Sequence, residues 1–245
     1  MEEVAAVSSM ESAADALTLA RARSRPVTTA DTRLLKVPGA LGDCFPDGAV
    51  RRGSTLAIDT ARGGVSLALA LAAAVTATDS WVAAVGLPAL GLVAAAELGV
   101  KLERFALVPA PGERWQVVAA AMLDGMDLLL LGPPERVRSG DARRLVARAR
   151  EQGTVLAVLE PPGGRRWPEG PDLRLAVAHA NWDGLGWGHG YLRSRRVEVV
   201  TTGRRAAARE RHTALMLPGP ADPESNQDRP GWPAGRPRAL PALVG

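Results

Sequence analysis

The segment Ser54–Ser66, with the sequence STLAIDTARGGVS, decides the fold. Its first five residues are a short, mostly apolar run that predicts a β-strand. Two adjacent glycines, Gly63 and Gly64, follow after a four-residue turn, and the small apolar residues of Val65–Ala77 predict a helix directly behind them. A strand, a glycine-rich turn and a helix in this order form the first half of a βα unit.

The same alternation continues along the chain to residue 160. The predicted strands are Ser54–Ile58, Trp81–Val85, Phe105–Val108, Asp127–Leu131 and Thr154–Leu159. The predicted helices are Val65–Ala77, Leu90–Leu98, Glu113–Leu123 and Asp141–Glu151. Asp127–Leu131 is apolar almost throughout, as expected for a strand buried on both faces of a parallel sheet. We therefore predict an α/β fold with a parallel sheet core flanked by helices.

The pattern changes after Pro161. Leu173–Trp182 and Tyr191–Thr202 alternate in the manner of antiparallel strands, and Asp183–Gly188 between them has turn composition. The sequence therefore predicts a sheet that finishes in an antiparallel hairpin. Trp182, Trp187, His189 and Tyr191 cluster around its turn, where they either form an aromatic pocket or pack against the sheet.

Four segments follow from these patterns. Residues 1–25 are predicted as an N-terminal helix, 26–48 as a linker, 49–211 as the core, and 212–245, which is dense in proline and glycine, as a disordered tail. The helix carries one narrow apolar stripe, formed by Val7, Met10, Ala14 and Leu17. Such a stripe docks either on its own domain or on a partner protein, and both interpretations stay open here.

Charge is distributed unevenly along the chain. Residues 1–132 carry a net charge of −3, whereas residues 133–211 carry +7. A basic second half indicates an anionic partner such as DNA. The same excess also fits a simple preference for arginine, which supplies 28 of the 30 basic residues.

The number of cysteines and the spacing of the histidines argue against a disulfide and against a metal site. Cys44 is the single cysteine, so the chain forms no internal disulfide and no thiolate metal cluster. The three histidines show no metal-ligand spacing. The N-terminus lacks the basic region of a signal peptide, and the most apolar stretch, Val65–Ala77, is too short to cross a bilayer. We therefore expect a cytoplasmic protein without bound metal or membrane contact.

The glycine-rich turn occupies the place of a phosphate-binding loop, whose pattern is G-x-x-x-x-G-K-[ST]. With Gly64 on the second glycine, Ser66 falls on the hydroxyl that holds Mg²⁺, Asp59 on the first glycine and Val65 on the lysine. Valine brings no charge to the phosphates, and Asp59 adds a negative one. Arg62 is the remaining cation of the loop. The motif therefore predicts a degenerate loop, without a nucleotide cofactor.

Residues 50–160 resemble the core of RecA, element by element. Val50–Ile58 is similar to its first core strand, Glu97–Val100 to its "K-L-G-V" segment, and Asp127–Leu131 to its Walker B strand. RecA carries a water-activating glutamate after the second core strand, where this chain has Val85–Pro88, and a Mg²⁺-associated aspartate where this chain has Gly132. The resemblance therefore implies a RecA-like core that has lost ATP hydrolysis, and hence a binding protein and not an enzyme.

Within that superfamily the chain resembles the RecA-like accessory proteins of the actinobacterial mutasome, the ImuA-prime type of the SulA/ImuA group. Its arginine- and alanine-rich composition and Val37–Leu41, with the sequence VPGAL, fit that group. The resemblance implies a scaffold in SOS-induced mutagenic translesion synthesis, which binds a Y-family polymerase homologue and links it to an error-prone C-family polymerase. A SulA-like inhibitor of cell division and a divergent ATPase that uses Arg62 remain the alternatives.

Candidates for DNA contact lie in the loop Pro161–Gly170. Arg165 and Arg166 offer charges to phosphates, and Trp167 offers a ring on which a base stacks. Further basic residues that extend this surface are Arg136, Arg138, Arg143 and Arg144. A solvated loop without a partner is the alternative.

Overall fold

An eight-stranded sheet forms the centre of the protein, and the first two described strands form a separate two-stranded sheet. The computed structural model describes residues 33–46, 48–164, 166–185, 190–204 and 209–217. At 183–185 and 190–194 it describes the backbone alone. The strands are β1 Leu34–Lys36, β2 Ala49–Arg51, β3 Thr55–Asp59, β4 Val82–Val85, β5 Phe105–Val108, β6 Leu128–Leu131, β7 Val155–Glu160, β8 Leu173–Leu185, β9 Gly190–Gly203 and β10 Arg211–Leu217. The helices are α1 Gly64–Ala77, α2 Leu92–Glu97, α3 Trp115–Leu123 and α4 Ser139–Gln152.

The sheet has the strand order β10-β9-β8-β3-β7-β6-β4-β5. The pairs from β8 to β5 are parallel, whereas β9 pairs antiparallel with β8 on one side and with β10 on the other. The predicted fold class is therefore confirmed in its parallel core, its flanking helices and its antiparallel end. Each predicted core strand and helix is present, with ends that differ by one to two residues in most cases.

Helices cover both faces of the sheet. One apolar cluster joins α1 and α2 to the sheet through residues such as Leu71 and Ala95, and the other joins α3 and α4 through residues such as Met122 and Leu145. The four residues of β4 and of β6 are buried throughout. A strand covered on both faces needs apolar side chains at every position, which is why these runs do not alternate.

The predicted linker 26–48 is wrong for its described part. β1 pairs antiparallel with β2, and a 3₁₀ turn at Ala40–Cys44 leads between them. Cys44 and Phe45 are buried in the cluster below α1. The two strands have three residues each, too few for alternation to stand out from the sequence.

The predicted boundary of the tail at residue 212 is also wrong. Arg211–Leu217 forms β10, which pairs with β9 along its length. Leu215 and Leu217 are buried against the core. The predicted N-terminal helix and the residues from 218 onward lie outside the described residues. Among the helices that are described, none has the length and apolar character that crossing a membrane requires.

The carboxyl ends of the parallel strands meet along one edge of the sheet. Asp59 at the end of β3 stands beside Glu160 at the end of β7. Gly86 and Gly132 follow β4 and β6 at the same edge. Open parallel sheets bind their ligands at this edge, so a functional site is expected there.

Candidate functional site

The loop between β3 and α1 is tightly closed on itself. The Asp59 carboxylate accepts a hydrogen bond from the Ala61 backbone N–H at 2.8 Å, so it caps its own turn. Gly63 has φ 96° and precedes α1. A Cβ on Gly64 would lie 1.7 Å from the Asp59 carbonyl oxygen, which leaves room for glycine alone. The second glycine of the loop pattern is therefore required by the backbone of β3.

Arg62 points from the loop toward the neighbouring strand β8. Its backbone lies in the left-handed region, with φ 50° and ψ 25°. Its Nη1 donates a hydrogen bond of 2.6 Å to the carbonyl oxygen of Ala178. Arg62 is thus held against the hairpin and is not turned into the loop, where a substitute for the missing lysine would have to act.

A second arginine, Arg195 of β9, lies directly on the glycine-rich turn. A Cβ on Gly63 would stand 2.0 Å from its Nη2 atom, so the guanidinium covers this glycine. Nη2 makes one long hydrogen bond of 3.4 Å to the Gly63 carbonyl oxygen. The other side of the guanidinium stacks on the ring of Trp182, 5.1 Å from its centroid.

The first turn of α1 carries the two remaining positions of the degenerate motif. Val65, at the position of the lysine, is 38% exposed and brings no charge. Ser66 is half-buried one residue further along. No side chain caps the N-terminus of this 14-residue helix, so its first N–H groups keep their partial positive charge.

Gly86, in the stretch compared with the RecA glutamate, contacts Gly132, at the position compared with the RecA aspartate. A Cβ on Gly86 would lie 2.3 Å from the Gly132 carbonyl oxygen, and a Cβ on Gly132 would lie 2.4 Å from the Gly86 carbonyl oxygen. The Gly132 N–H donates to the Val85 carbonyl oxygen at 2.8 Å and fixes this approach. A carboxylate at either position would require the backbone to separate.

Glu160, which sequence reasoning did not single out, is the buried carboxylate of this edge. It is 6% exposed and accepts hydrogen bonds from the Trp167 backbone N–H at 2.9 Å and from the Arg174 guanidinium. One of its oxygens therefore holds the loop after β7, and the other pairs with Arg174 of β8. The sequence signal that could have identified Glu160 is its place as the last residue of an apolar strand, at the carboxyl edge of the sheet.

The predicted DNA-contact loop is corrected at one residue. Trp167 is 5% exposed and packs in the cluster below α3 and α4, so its ring offers no face to a base. A single tryptophan between polar and proline residues is expected to be exposed to solvent. Here the Trp167 backbone N–H donates a hydrogen bond to the buried Glu160 carboxylate. Arg166 is exposed, which is compatible with the predicted DNA contact, and Arg165 lies outside the described residues.

Three of the four arginines of α4 are paired with carboxylates, and the exposed Arg150 is the fourth. Ion pairs join Arg143 to Glu169, Arg144 to Asp141 and Arg148 to Asp124. The basic face that the sequence suggests is therefore largely neutralised along this helix. The candidate docking residues Val7, Met10, Ala14 and Leu17 fall outside the described residues.

Metal-ligating side chains do not gather in the part of the chain that is described. No group of three or more His, Cys, Asp or Glu residues there is placed to hold a metal ion. Asp127, at the start of the Walker B-like strand, accepts from the Trp81 N–H and pairs with Arg52 at the opposite edge of the sheet. It takes no part in the loop.

The residues that the structure adds to the loop come from the β8–β9 hairpin. Trp182 and Arg195 are cross-strand partners, and together with Arg62 and Gly63 they line an open cleft of about 610 Å³. The sequence offered Trp182 only as one of several aromatic residues near a turn. The register of the hairpin, which brings Arg195 opposite it, was not visible.

Comparison with known proteins gives two matches. The model of the family described as the MT3502 N-terminal domain matches residues 43–169. The uncharacterized protein Rv3395c of Mycobacterium tuberculosis is 41% identical over 143 residues, which is 57% of this chain. The matched region covers 66% of that relative, just under two thirds of its length.

Proposed function

The chain belongs to the MT3502 N-terminal domain family, and on that premise we propose that it is a non-enzymatic RecA-like accessory protein of SOS-induced mutagenic translesion synthesis. In this role it acts in the cytoplasm, binds a Y-family polymerase homologue and links it to an error-prone C-family polymerase. The proposed role requires binding to the polymerases and does not require that the protein itself contacts DNA.

The main support for a protein without ATPase activity is that an arginine covers the glycine that a nucleotide would have to approach. Backbone N–H groups and a lysine hold the phosphates in a working loop. Here Arg195 lies on Gly63, and Val65 replaces the lysine. The contact between Gly86 and Gly132 leaves no room for a side chain at either of these two positions. These features favour a protein that binds partners over one that turns over ATP.

The RecA-like part of the proposal rests on the resemblance of residues 50–160, and the mutasome part on the arginine- and alanine-rich composition, on Val37–Leu41 and on the relative from Mycobacterium tuberculosis. The strand arrangement supports the RecA-like part, because the degenerate loop follows the first strand of a parallel core that ends antiparallel. The divergent ATPase is disfavoured, since Arg62 donates to Ala178 and is turned away from the loop. No observation here favours the division inhibitor.

Complementation tests the proposal directly. In a strain that lacks the gene, we expect the wild-type chain and Ser66→Ala to restore damage-induced mutagenesis equally. Ser66 is the position that would hold Mg²⁺, and alanine is tolerated in the first turn of a helix. A loss of function in Ser66→Ala would point to magnesium-dependent chemistry and against a scaffold.

Binding assays supply the second arm. Purified chain titrated with Mg²⁺–ATP should show no binding tighter than about 1 mM, equivalent to about −4 kcal/mol. The same chain should bind the Y-family polymerase homologue of its own organism in size-exclusion chromatography. Magnesium-dependent nucleotide uptake at micromolar strength refutes the non-enzymatic role, and recovery of a division protein in place of a polymerase supports the SulA-like alternative.

A further inference from the structure

An open cleft lies between the glycine-rich loop and the β8–β9 hairpin, and two arginines, Arg62 and Arg195, line it. β8 runs beyond the end of β3, so the hairpin stands as a wall beside the loop. The lining residues are Arg62, Gly63, Ala178, His179, Ala180, Trp182 and Arg195. No carboxylate is among them. A volume of about 610 Å³ suits one or two side chains or a small ligand.

Arg195 is the group that requires a partner. It is 8% exposed, yet its buried Nε has no hydrogen-bond partner and no carboxylate pairs with it among the described residues. The burial lowers the pKa of its guanidinium, because the charged form loses solvent. Burying a charge without a counter-ion is unfavourable, and an anion brought into contact offsets that cost.

Arg62 also lines this cleft, and the N-terminus of α1 follows directly after the lining residue Gly63. The N-terminus of α1 begins at Gly64, directly behind the glycine that Arg195 covers, and no side chain caps it. The partial charge of the helix and the two guanidinium groups therefore act together on whatever enters.

We infer that this cleft binds a carboxylate side chain, glutamate or aspartate, presented by a polypeptide partner. The carboxylate lies between Arg62 and Arg195, and a neighbouring apolar residue of the partner lies on the half-exposed ring of Trp182. A guanidinium matches a carboxylate in shape, through two parallel N–H···O hydrogen bonds. The inference does not depend on the proposed role in translesion synthesis.

The geometry favours a single planar anion over a chain of phosphates. The guanidinium of Arg195 takes up the space above Gly63 that a polyphosphate would need. A nucleic acid requires a track of unpaired cations. Arg144, Arg148 and Arg174 are paired with carboxylates. The exposed Arg136, Arg138 and Arg166 do not line the cleft. Ala178 and Ala180 give the cleft a short apolar wall that suits a peptide.

Nuclear magnetic resonance on the full chain tests this inference. The probe is the blocked peptide acetyl-Ala-Glu-Ala-amide, and acetyl-Ala-Gln-Ala-amide is its uncharged control. We expect saturable shifts of the Gly63, Gly64 and Val65 amides and of the Trp182 indole N–H with the glutamate peptide alone. Arg195→Gln and Arg62→Ala should each weaken binding about tenfold or more, since each removes one ionic hydrogen-bonding partner.

Arg143→Ala is the matched control, because Arg143 is an exposed arginine of α4 outside the cleft lining, and its loss should leave binding unchanged. Since Arg62 is exposed, Arg62→Ala keeps the test valid even where Arg195→Gln loosens the hairpin. The inference is overturned by an equal response to the glutamine peptide, or by no saturation up to about 10 mM peptide, where a millimolar site would fill. Tighter, Arg195-dependent binding of oligothymidylate or inorganic phosphate overturns it as well, in favour of a phosphate site.

Discussion

Replacing Gly64 with alanine tests whether this glycine serves the fold and not a phosphate. In a working phosphate-binding loop, glycine at this place keeps the backbone close to the ligand. Here a Cβ would stand 1.7 Å from the carbonyl oxygen of Asp59, whereas ordinary Cβ contacts begin at 3.4 Å. The start of α1 or the end of β3 must therefore move by more than an ångström, although β3 is paired on both sides.

The cost of Gly64→Ala follows from this overlap. Overpacking in a well-packed region costs about 1–3 kcal/mol, and a backbone obstacle that cannot rotate away belongs at the upper end. Alanine returns up to about 1 kcal/mol through its helix propensity. We expect a net loss of about 2 kcal/mol in the free energy of unfolding. Urea unfolding followed by circular dichroism should show a lower midpoint with an unchanged m-value.

Gly140→Ala is the control for the same substitution in an open position. Gly140 lies in the first turn of α4, and a Cβ there meets nothing within 4 Å. Alanine should stabilise the protein by about 0.5 kcal/mol at this place. Equal midpoints for the two variants would refute the close approach of Gly64 to Asp59, and with it the structural role of the glycine.

Three further changes test other parts of the description. Trp167→Ala should lower the free energy of unfolding by about 3–5 kcal/mol in chemical denaturation, since it empties a core position; a loss below about 1 kcal/mol would return Trp167 to the surface. Burial raises the pKa of the Cys44 thiol to about 11, so the native protein at pH 8 should not react with a disulfide reagent, whereas the unfolded protein should. The hydrogen bond that the His212 ring donates to the Glu198 carboxylate raises the pKa of His212 above its ordinary value of 6.5. The folded state thus binds this proton more tightly than the unfolded state. The stability it adds is complete below pH 6.5 and is lost as the pH rises through the raised value. His212→Gln should therefore cost more stability at pH 6 than at pH 9, and a cost that does not depend on pH would contradict this.

The parallel core could be predicted from the sequence because burial on both faces leaves a direct trace. Leu128–Leu131 and Val155–Leu159 are continuous apolar runs, and helices with clear ends separate them. The glycine-rich turn was equally visible, since two adjacent glycines between a strand and a helix are typical of a tight turn. These signals are local, so a single sequence carries them.

The candidate site needed information that is not local. Trp182 and Arg195 lie thirteen positions apart and meet only through the register of the hairpin. The sequence suggested a turn at Asp183–Gly188, whereas β8 continues to Leu185 and β9 begins at Gly190. That difference changes every cross-strand pair, so the partner of Trp182 could not be read from the sequence.

The buried loop residue and the first ribbon were missed for a related reason. Trp167 lies among proline, glycine and arginine, which is the composition of a solvated loop. Its ring packs in the apolar cluster with α3 and α4, and Glu160, seven residues earlier, accepts its backbone N–H. β1 and β2 are held by pairing with each other and by the cluster below α1, and neither constraint appears in a three-residue run.

The loss of nucleotide chemistry that we propose involves the whole sheet edge and not a single residue. At the end of β3 a guanidinium covers the turn, and at the ends of β4 and β6 two glycine backbones touch. Restoring the lysine as Val65→Lys would place a third cation beside Arg62, Arg195 and the N-terminus of α1. Their mutual repulsion increases the need for an anion without recreating the space or the carboxylates that Mg²⁺–ATP requires. The two arginines beside this turn fit the proposed carboxylate site, whereas Val65 supplies no charge to a phosphate.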